Sequence, residues 1–352
     1  MRINGKMTMM RYLSRVVSIM TVALIILVVA VPPGVALQLG PDGAPNPTAS
    51  VASEQQLLQQ SPRIEGHITQ PNERERVLMQ PAGRLWDHFH EIILRWLGAI
   101  VILGMIVALG AAYLIMGRLR ISKGRSGRKV RRFNSFERFS HWVTAVSFVA
   151  LALTGLNITF GKIVLLPMIG PEAFSSLSQG AKYVHNFVSA AFVIGLALIV
   201  VLWIKDNIPR KVDVDWVKQG GGFIKSKHTP SGRFNAGEKL VFWFALGAGV
   251  AVIISGYLLM FPFYVTDIAG MQVAQVVHAV IAVLFVAVII AHIYIGTVGM
   301  EGAFEAMATG DVDFNWAKEH HDLWLAEQLA GDERQEQQPW ATPADQRRRS
   351  SS

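Results

Sequence analysis

Ten histidines and no cysteine set the chemistry open to this chain of 352 residues. Disulfides, thiolate-bound zinc and cysteine-ligated iron–sulfur clusters are excluded within it, and histidine and methionine are the soft or borderline ligands left for handling electrons. Two of the histidines, His278 and His292, lie in the apolar stretch from Gln272 to Thr297, which holds no Asp, Glu, Lys or Arg. A helix through that stretch separates them by roughly 21 Å along its axis. At about 100° per residue the two rings come within roughly 40° of one face. One helix thus presents an imidazole near each side of a hydrocarbon core about 30 Å thick. Two metal centres stacked across a membrane would use this arrangement.

The elements that must position these rings are read from where the apolar residues fall. They make up 51% of the chain and come in blocks, the pattern of an all-α, polytopic membrane protein. The formal charge of +8 would suggest nucleic acid, but the basic residues flank apolar segments and read as topology signals, so nucleic acid is not expected as a partner. Residues 1–36 have a basic start (Arg2, Lys6, Arg11, Arg15), an apolar run from Val16 to Val31, then Pro32, Pro33 and small residues at Gly34 and Ala36. A signal peptide cleaved after Ala36 is expected, with an uncleaved first helix as the competing reading. Residues 37–90, rich in Gln, Pro and Asn, read as a periplasmic extension.

Residues 91–117 hold an extra transmembrane helix, Ile92 to Met116, with Arg95 close enough to its start to snorkel. Residues 118–139 form a basic loop in which Glu137 is the only acid, placed in the cytoplasm by the positive-inside rule. Residues 140–300 read as a four-helix bundle with spans at 141–160, 182–204, 240–261 and 272–297. Loop 161–181 is poor in basic residues, loop 205–239 is rich in them, and connection 262–271 carries only Asp267. The charged tail 301–352 falls on the cytoplasmic side.

Depth follows from that alternation. His141 opens an outward helix near the cytoplasmic face, and His185 opens an inward helix near the periplasmic face. Equal depth then gives an outer pair, His185 with His278, and an inner pair, His141 with His292. Two bis-imidazole pairs suit two b-type haems, each ring taking one axial ligand from each of two facing helices. Gly155, Gly195, Ala197 and Ala282 are small residues that could give the porphyrin planes room. The bland reading is interhelical hydrogen bonding or a proton path. His67 and His228 read as loop residues, His88 and His90 as a solvated interface, and His320 and His321 as part of a structural or partner-facing tail.

The segments NSFERFSHWVTAVSFVALALTGL, YVHNFVSAAFVIGLALIVVLWIKDNIP, FNAGEKLVFW, VVHAVIAVLFVAVIIAHIY and NWAKEHHDLW resemble the gamma subunit of membrane-bound formate dehydrogenase, a dihaem cytochrome b. The resemblance runs over residues 131–326. Cytochrome b subunits of nickel–iron hydrogenases and other dehydrogenases share the histidine set, and FNAGEK and NWAKEHHDLW point to formate dehydrogenase. The resemblance implies His141, His185, His278 and His292 as haem-iron ligands in the pairing above, and two haems b as cofactors. It also implies a quinone site at His292 and Asn235, an electron-donating iron–sulfur beta subunit and a molybdenum or tungsten alpha subunit. Asn235 also has the type of a helix N-cap, and Arg138 could meet a haem propionate or serve only as topogenic charge. The expected place is a bacterial inner membrane. A haem-free anchor is the rival from another class.

Overall fold

The structure is a computed structural model, described here for residues 88–221 and 230–336. The expected signal peptide, most of the periplasmic extension, and His67 and His228 lie outside the described residues. Among those described, five helices are long and apolar enough to cross a membrane: Phe89–Met116, Ser135–Val164, Pro171–Trp203, Ala236–Met260 and Ile268–Gly299. These are the five expected spans. In order they contribute α1 (Arg95–Met116, entered through a π-helical turn at Phe89–Leu94), α2 (Ser135–Val164), the short α3 (Leu166–Ile169) and α4 (Pro171–Trp203). There follow α5 (Lys211–Lys218), α6 (Ala236–Met260) and α7 (Ile268–Tyr294), the last running into a π-helical turn at Ile295–Gly299. The tail adds α8 (Ala303–Ala308), α9 (Phe314–His320) and α10 (Asp322–Glu336). Strands β1 (Lys129–Arg131) and β2 (Asp311–Asp313) pair antiparallel.

The helices outrun the apolar blocks. Residues 161–181 are expected as a loop between spans, yet most are helical, with Pro171 as the first residue of α4, where its missing N–H costs no intrahelical bond.

The chain divides into two units. One takes in residues 1–92 and 154–184, the other residues 93–153 and 185–352. In the first, Asn157 Nδ2 donates to Ser178 Oγ (3.2 Å), joining α2 to α4. The second holds all four histidines at issue. There α7 packs against both α6 and α1. α2 and α4 approach at Gly195, where a Cβ would stand 2.5 Å from Thr144 Oγ1 and 3.0 Å from the Thr144 amide nitrogen. Gly195 therefore is a close-packing residue. Ala197 is not: it is exposed on the outside of α4, because it lies two residues, about 200°, round the helix from Gly195.

In its middle the second unit is sealed by four phenylalanines, one from each helix of the bundle. Phe148 of α2 meets Phe285 of α7 at 4.6 Å between ring centres. Phe192 of α4 and Phe244 of α6 meet the same ring at 6.3 and 5.9 Å. Phe285 lies midway in sequence between His278 and His292.

The described parts of the segments expected in the cytoplasm meet at one end of this unit. Leu119 pairs in parallel with Met300, so α1 and α7 emerge together. The β1–β2 pair joins the basic loop to the tail, and Asp313 clamps the join by accepting from the amides of Gly127 (3.0 Å) and Asn315 (2.9 Å). A core of Phe133, Trp203, Phe234, Phe242, Trp316, Trp324 and other residues lies beneath. The charged tail thus supplies core.

That cap is built on a repeat. Arg132-Phe133-Asn134-x-x-Glu137 opens α2, and Arg233-Phe234-Asn235-x-x-Glu238 opens α6. In each copy the asparagine Oδ1 accepts from the glutamate amide, and the glutamate carboxylate accepts from the asparagine amide, a capping box. The copies cross-link reciprocally. Arg233 Nη2 donates to Glu137 (2.7 Å) and Arg132 Nη2 to Glu238 (3.0 Å). Each arginine also donates to the other's carbonyl, at 2.7 and 2.9 Å. Phe133 and Phe234 meet at 5.8 Å.

His321 is fully buried beside this clasp, its Nδ1 2.9 Å from the Gly232 carbonyl. Burial, with the Arg132 guanidinium next in effect, pushes it down to about 3 against the opposing pull of Glu238. Held neutral, His321 contributes stability that is present above about pH 6.5 and lost as pH falls toward 3, since only the unfolded tail takes the proton. Amide protection over 314–320, corrected for intrinsic exchange, is therefore expected to fall by up to about tenfold per pH unit below pH 6. His321→Gln should flatten that slope. A slope unchanged by the substitution would assign the effect to another group.

Candidate functional site

The four spanning-segment histidines form two couples. His185 of α4 and His278 of α7 have ring centres 6.1 Å apart, and His141 of α2 and His292 of α7 have theirs 6.3 Å apart. An iron held between two imidazoles at about 2 Å from each nitrogen puts the ring centres roughly 6 to 6.5 Å apart. Each couple offers two nitrogens, and among the described residues no group of three or more His, Cys, Asp or Glu could hold an ion alone. Two protein ligands per site fit a macrocycle that supplies the other four.

The rings are oriented from behind. His278 Nδ1 lies 3.1 Å from the Val252 carbonyl and 3.1 Å from Ser255 Oγ. Ser255 Oγ itself donates to the Ala251 carbonyl (2.7 Å). A proton on Nδ1, shared with those acceptors, leaves Nε2 as the lone pair for a metal. The α6 backbone comes close because Gly256 has no side chain; a Cβ there would stand 3.1 Å from His278 Cε1. His185 bonds the Leu151 carbonyl of α2. At the inner couple, His141 Nδ1 is buried without a hydrogen-bond partner among the described residues. Its ring packs edge-on to Trp142 (5.4 Å) and against Trp203 (6.4 Å).

Trp203 connects the inner couple to the cap. Its Nε1 donates to Glu137 (2.9 Å), and its ring meets Phe234 at 5.5 Å. Glu238, three residues beyond Asn235, is close enough to His292 to act on it electrostatically. Asn235 is the N-cap of α6, so the structural role open to it is filled by Oδ1, while its Nδ2 has no partner among the described residues. Arg138, one turn before His141, donates from Nη1 to the Ala308 carbonyl (2.9 Å), and its Nε is buried without a partner among the described residues.

Among the described residues, the remaining histidines are not gathered into a third site. His90 Nδ1 lies 3.4 Å from the Glu91 carboxylate at the start of the first span. His320 packs on Trp316 at 5.3 Å, and His321 is taken up by the cap. Sequence reasoning passed over Ser255 and the crossed Arg–Glu pairs. A lone serine in the apolar run GVAVIISGYLL and the repeated R-F-N-x-x-E were the signals.

Residues 132–310 match the family described as prokaryotic cytochrome b561. The formate dehydrogenase cytochrome b556(fdo) subunit of Escherichia coli (strain K12) is 29% identical over 199 residues, covering 56% of this chain and 92% of that subunit. The cytochrome b556(Fdn) subunit of the nitrate-inducible formate dehydrogenase of the same organism is 26% identical over 206 residues, 57% and 92% of the two chains. The formate dehydrogenase cytochrome b556 subunit of Haemophilus influenzae is 25% identical over 219 residues, 61% and 88%. The helix α1 lies outside the family match.

Proposed function

The chain belongs to the prokaryotic cytochrome b561 family, and from that premise we propose that it is the membrane cytochrome b subunit of a formate dehydrogenase complex. In this reading it carries electrons from a periplasmic iron–sulfur beta subunit, itself fed by a molybdenum or tungsten alpha subunit, to quinone at the cytoplasmic side. The observation that carries it is the coupling of four histidines into two imidazole pairs on one shared helix.

Haem b, when bound, supplies a one-electron iron couple at each pair. The protein's own part is to hold the ligand nitrogens and exclude water. Val252 and Ser255 set the His278 ring, and the apolar helices keep the sites dry. The capped end is assigned to the cytoplasm, since loops 118–139 and 205–239 hold most of the basic residues near the spans. There Asn235 Nδ2 offers a donor to a quinone carbonyl, and the imidazole of His292 lies on the same side. The chain is a multi-pass bacterial membrane protein, so a lipid-borne quinone reaches it laterally.

A reduced-minus-oxidised spectrum of the purified chain is expected to show b-type bands, and their absence would sink the electron-transfer reading. The large subunit that copurifies distinguishes a formate dehydrogenase from a hydrogenase. For the quinone, Asn235→Ser separates the two roles of the residue. Serine still caps α6, but it has no amide to donate. Quinone turnover is expected to drop by about tenfold, the worth of one hydrogen bond in a binding site, with both haem spectra kept. Unchanged turnover at limiting quinone would remove Asn235 from the site.

A further inference from the structure

The geometry points to Trp216 as a second protein wall of the quinone site, an indole that packs against the ring of a lipid quinone and offers its N–H to a carbonyl. The inference rests on the quinone reading of Asn235 given above and extends it to a residue outside the helix bundle.

Trp216 lies on α5, in the connection between α4 and α6. Its ring leans on the first turn of α6: a Cβ on Gly237 would stand 3.2 Å from the edge of the indole and 3.3 Å from Asn235 Oδ1. The indole edge and the asparagine oxygen thus both approach the place where Gly237 lacks a side chain. The helix that carries Trp216 is fixed there. Lys239 Nζ donates to Asp213 (2.8 Å) and to the Ile208 carbonyl (3.2 Å), and the lysine is buried. Asp213 also accepts from the Arg210 amide that caps α5.

Three further observations give this tryptophan a ligand rather than a packing role. It is only half-buried and belongs to neither buried core, while Trp203, Trp316 and Trp324 are all buried in the cap. Its Nε1 has no hydrogen-bond partner among the described residues, whereas those of Trp142, Trp203 and Trp243 donate to the Met307 carbonyl, Glu137 and the Asn207 carbonyl. Being half-buried, that N–H is open to water or to a ligand. Finally, the repeat supplies an internal control. At the equivalent turn of the other copy, Phe136 stands where Gly237 does and is exposed. The two turns are built alike, and only the one beside Asn235 is faced by an aromatic ring across a missing side chain.

The approach is from lipid. Ile208, Val214 and Val217 are each more than half exposed, at the end of the spans, among Lys211, Asp215 and Lys218. A short amphipathic helix of that make-up lies in the plane of the membrane surface. The quinone ring would then stand between two donors, Trp216 Nε1 and Asn235 Nδ2.

The test is equilibrium dialysis of a labelled short-chain naphthoquinone against the full chain in detergent, a reading that needs no electron transfer. Trp216→Ala is expected to weaken binding by about tenfold and Trp216→Phe by a few-fold, as expected for loss of an aromatic wall and of one donor. The haem spectra should be unchanged. Asn235→Ser, run beside them, should also weaken binding. If Asn235→Ser binds weakly while both Trp216 variants bind like the unaltered chain, the quinone site stands and Trp216 is only a membrane-surface anchor. If none of the three variants alters binding, the quinone site itself is misplaced. If Trp216→Ala cannot be purified with its haem, Trp216→Phe decides alone, and unaltered binding by it overturns the N–H contact.

Discussion

His278→Ala will purify with one b-type haem in place of two, and the haem that remains will have the spectrum of the inner site. The ring of His278 faces His185 at 6.1 Å and is held by the Val252 carbonyl and Ser255 Oγ. On the proposed reading alanine removes one of two axial ligands, and no other histidine of the described residues lies against His185 to replace it. The inner couple sits about four turns further along α7, roughly 21 Å away. Its packing partners, Trp142 and Trp203, are distant from the substitution in sequence and belong to other helices. The pyridine haemochrome ratio of haem to protein should fall to about half. His185→Ala should give the same spectrum, and His141→Ala or His292→Ala the complementary one. A His278→Ala spectrum matching that of His141→Ala would end the pairing by depth.

Glu137→Ala will destabilise the chain by about 1–3 kcal/mol, the usual effect of leaving a buried hydrogen-bonding group unsatisfied. The Glu137 carboxylate is 6% exposed and accepts from Arg233 (2.7 Å), Trp203 Nε1 (2.9 Å) and the Asn134 amide (2.9 Å). Alanine strands an indole N–H, takes one carboxylate from Arg233 while leaving it Asp206 and the Arg132 carbonyl, and removes half of the α2 capping box. The effect should be local as well as global. Trp203 packs on His141, so the inner haem should be lost first on heating, and its half-life at fixed temperature is the measurement. Glu238→Ala should cost no less, because it leaves the Arg132 guanidinium, 4% exposed, with only the Arg233 carbonyl among the partners of its Nη2. Equal half-lives for Glu137→Ala and the unaltered chain would show that the crossed pairs do not hold the cap.

The spans and the couples were legible because both depend on coarse quantities. A span needs only enough apolar residues, and two rings fourteen positions apart on a helix must face nearly one way. The cap was not legible from such patterns. Its two strands have three residues each and lie far apart in sequence, so neither has a period to detect. Trp316, His321 and Trp324 read as members of a charged tail, yet all three are buried, because the loops they cover come from elsewhere in the chain. Polar residues from Pro171 to Lys182 read as a loop for the same reason: a helix that leaves the membrane no longer needs apolar side chains. The doubled R-F-N-x-x-E was visible, but its meaning lay in the crossing of its charges, which only three dimensions reveal.

The four phenylalanines at mid-depth have an electrical consequence. An electron can tunnel through a packed hydrocarbon layer, but a hydrated proton cannot, since each hop needs a water or a polar side chain. Phe148, Phe192, Phe244 and Phe285 place such an apolar layer between the two histidine couples. On the proposed electron-transfer reading, current crossing that layer would move negative charge alone, and the bilayer around the protein would be charged like the plates of a capacitor.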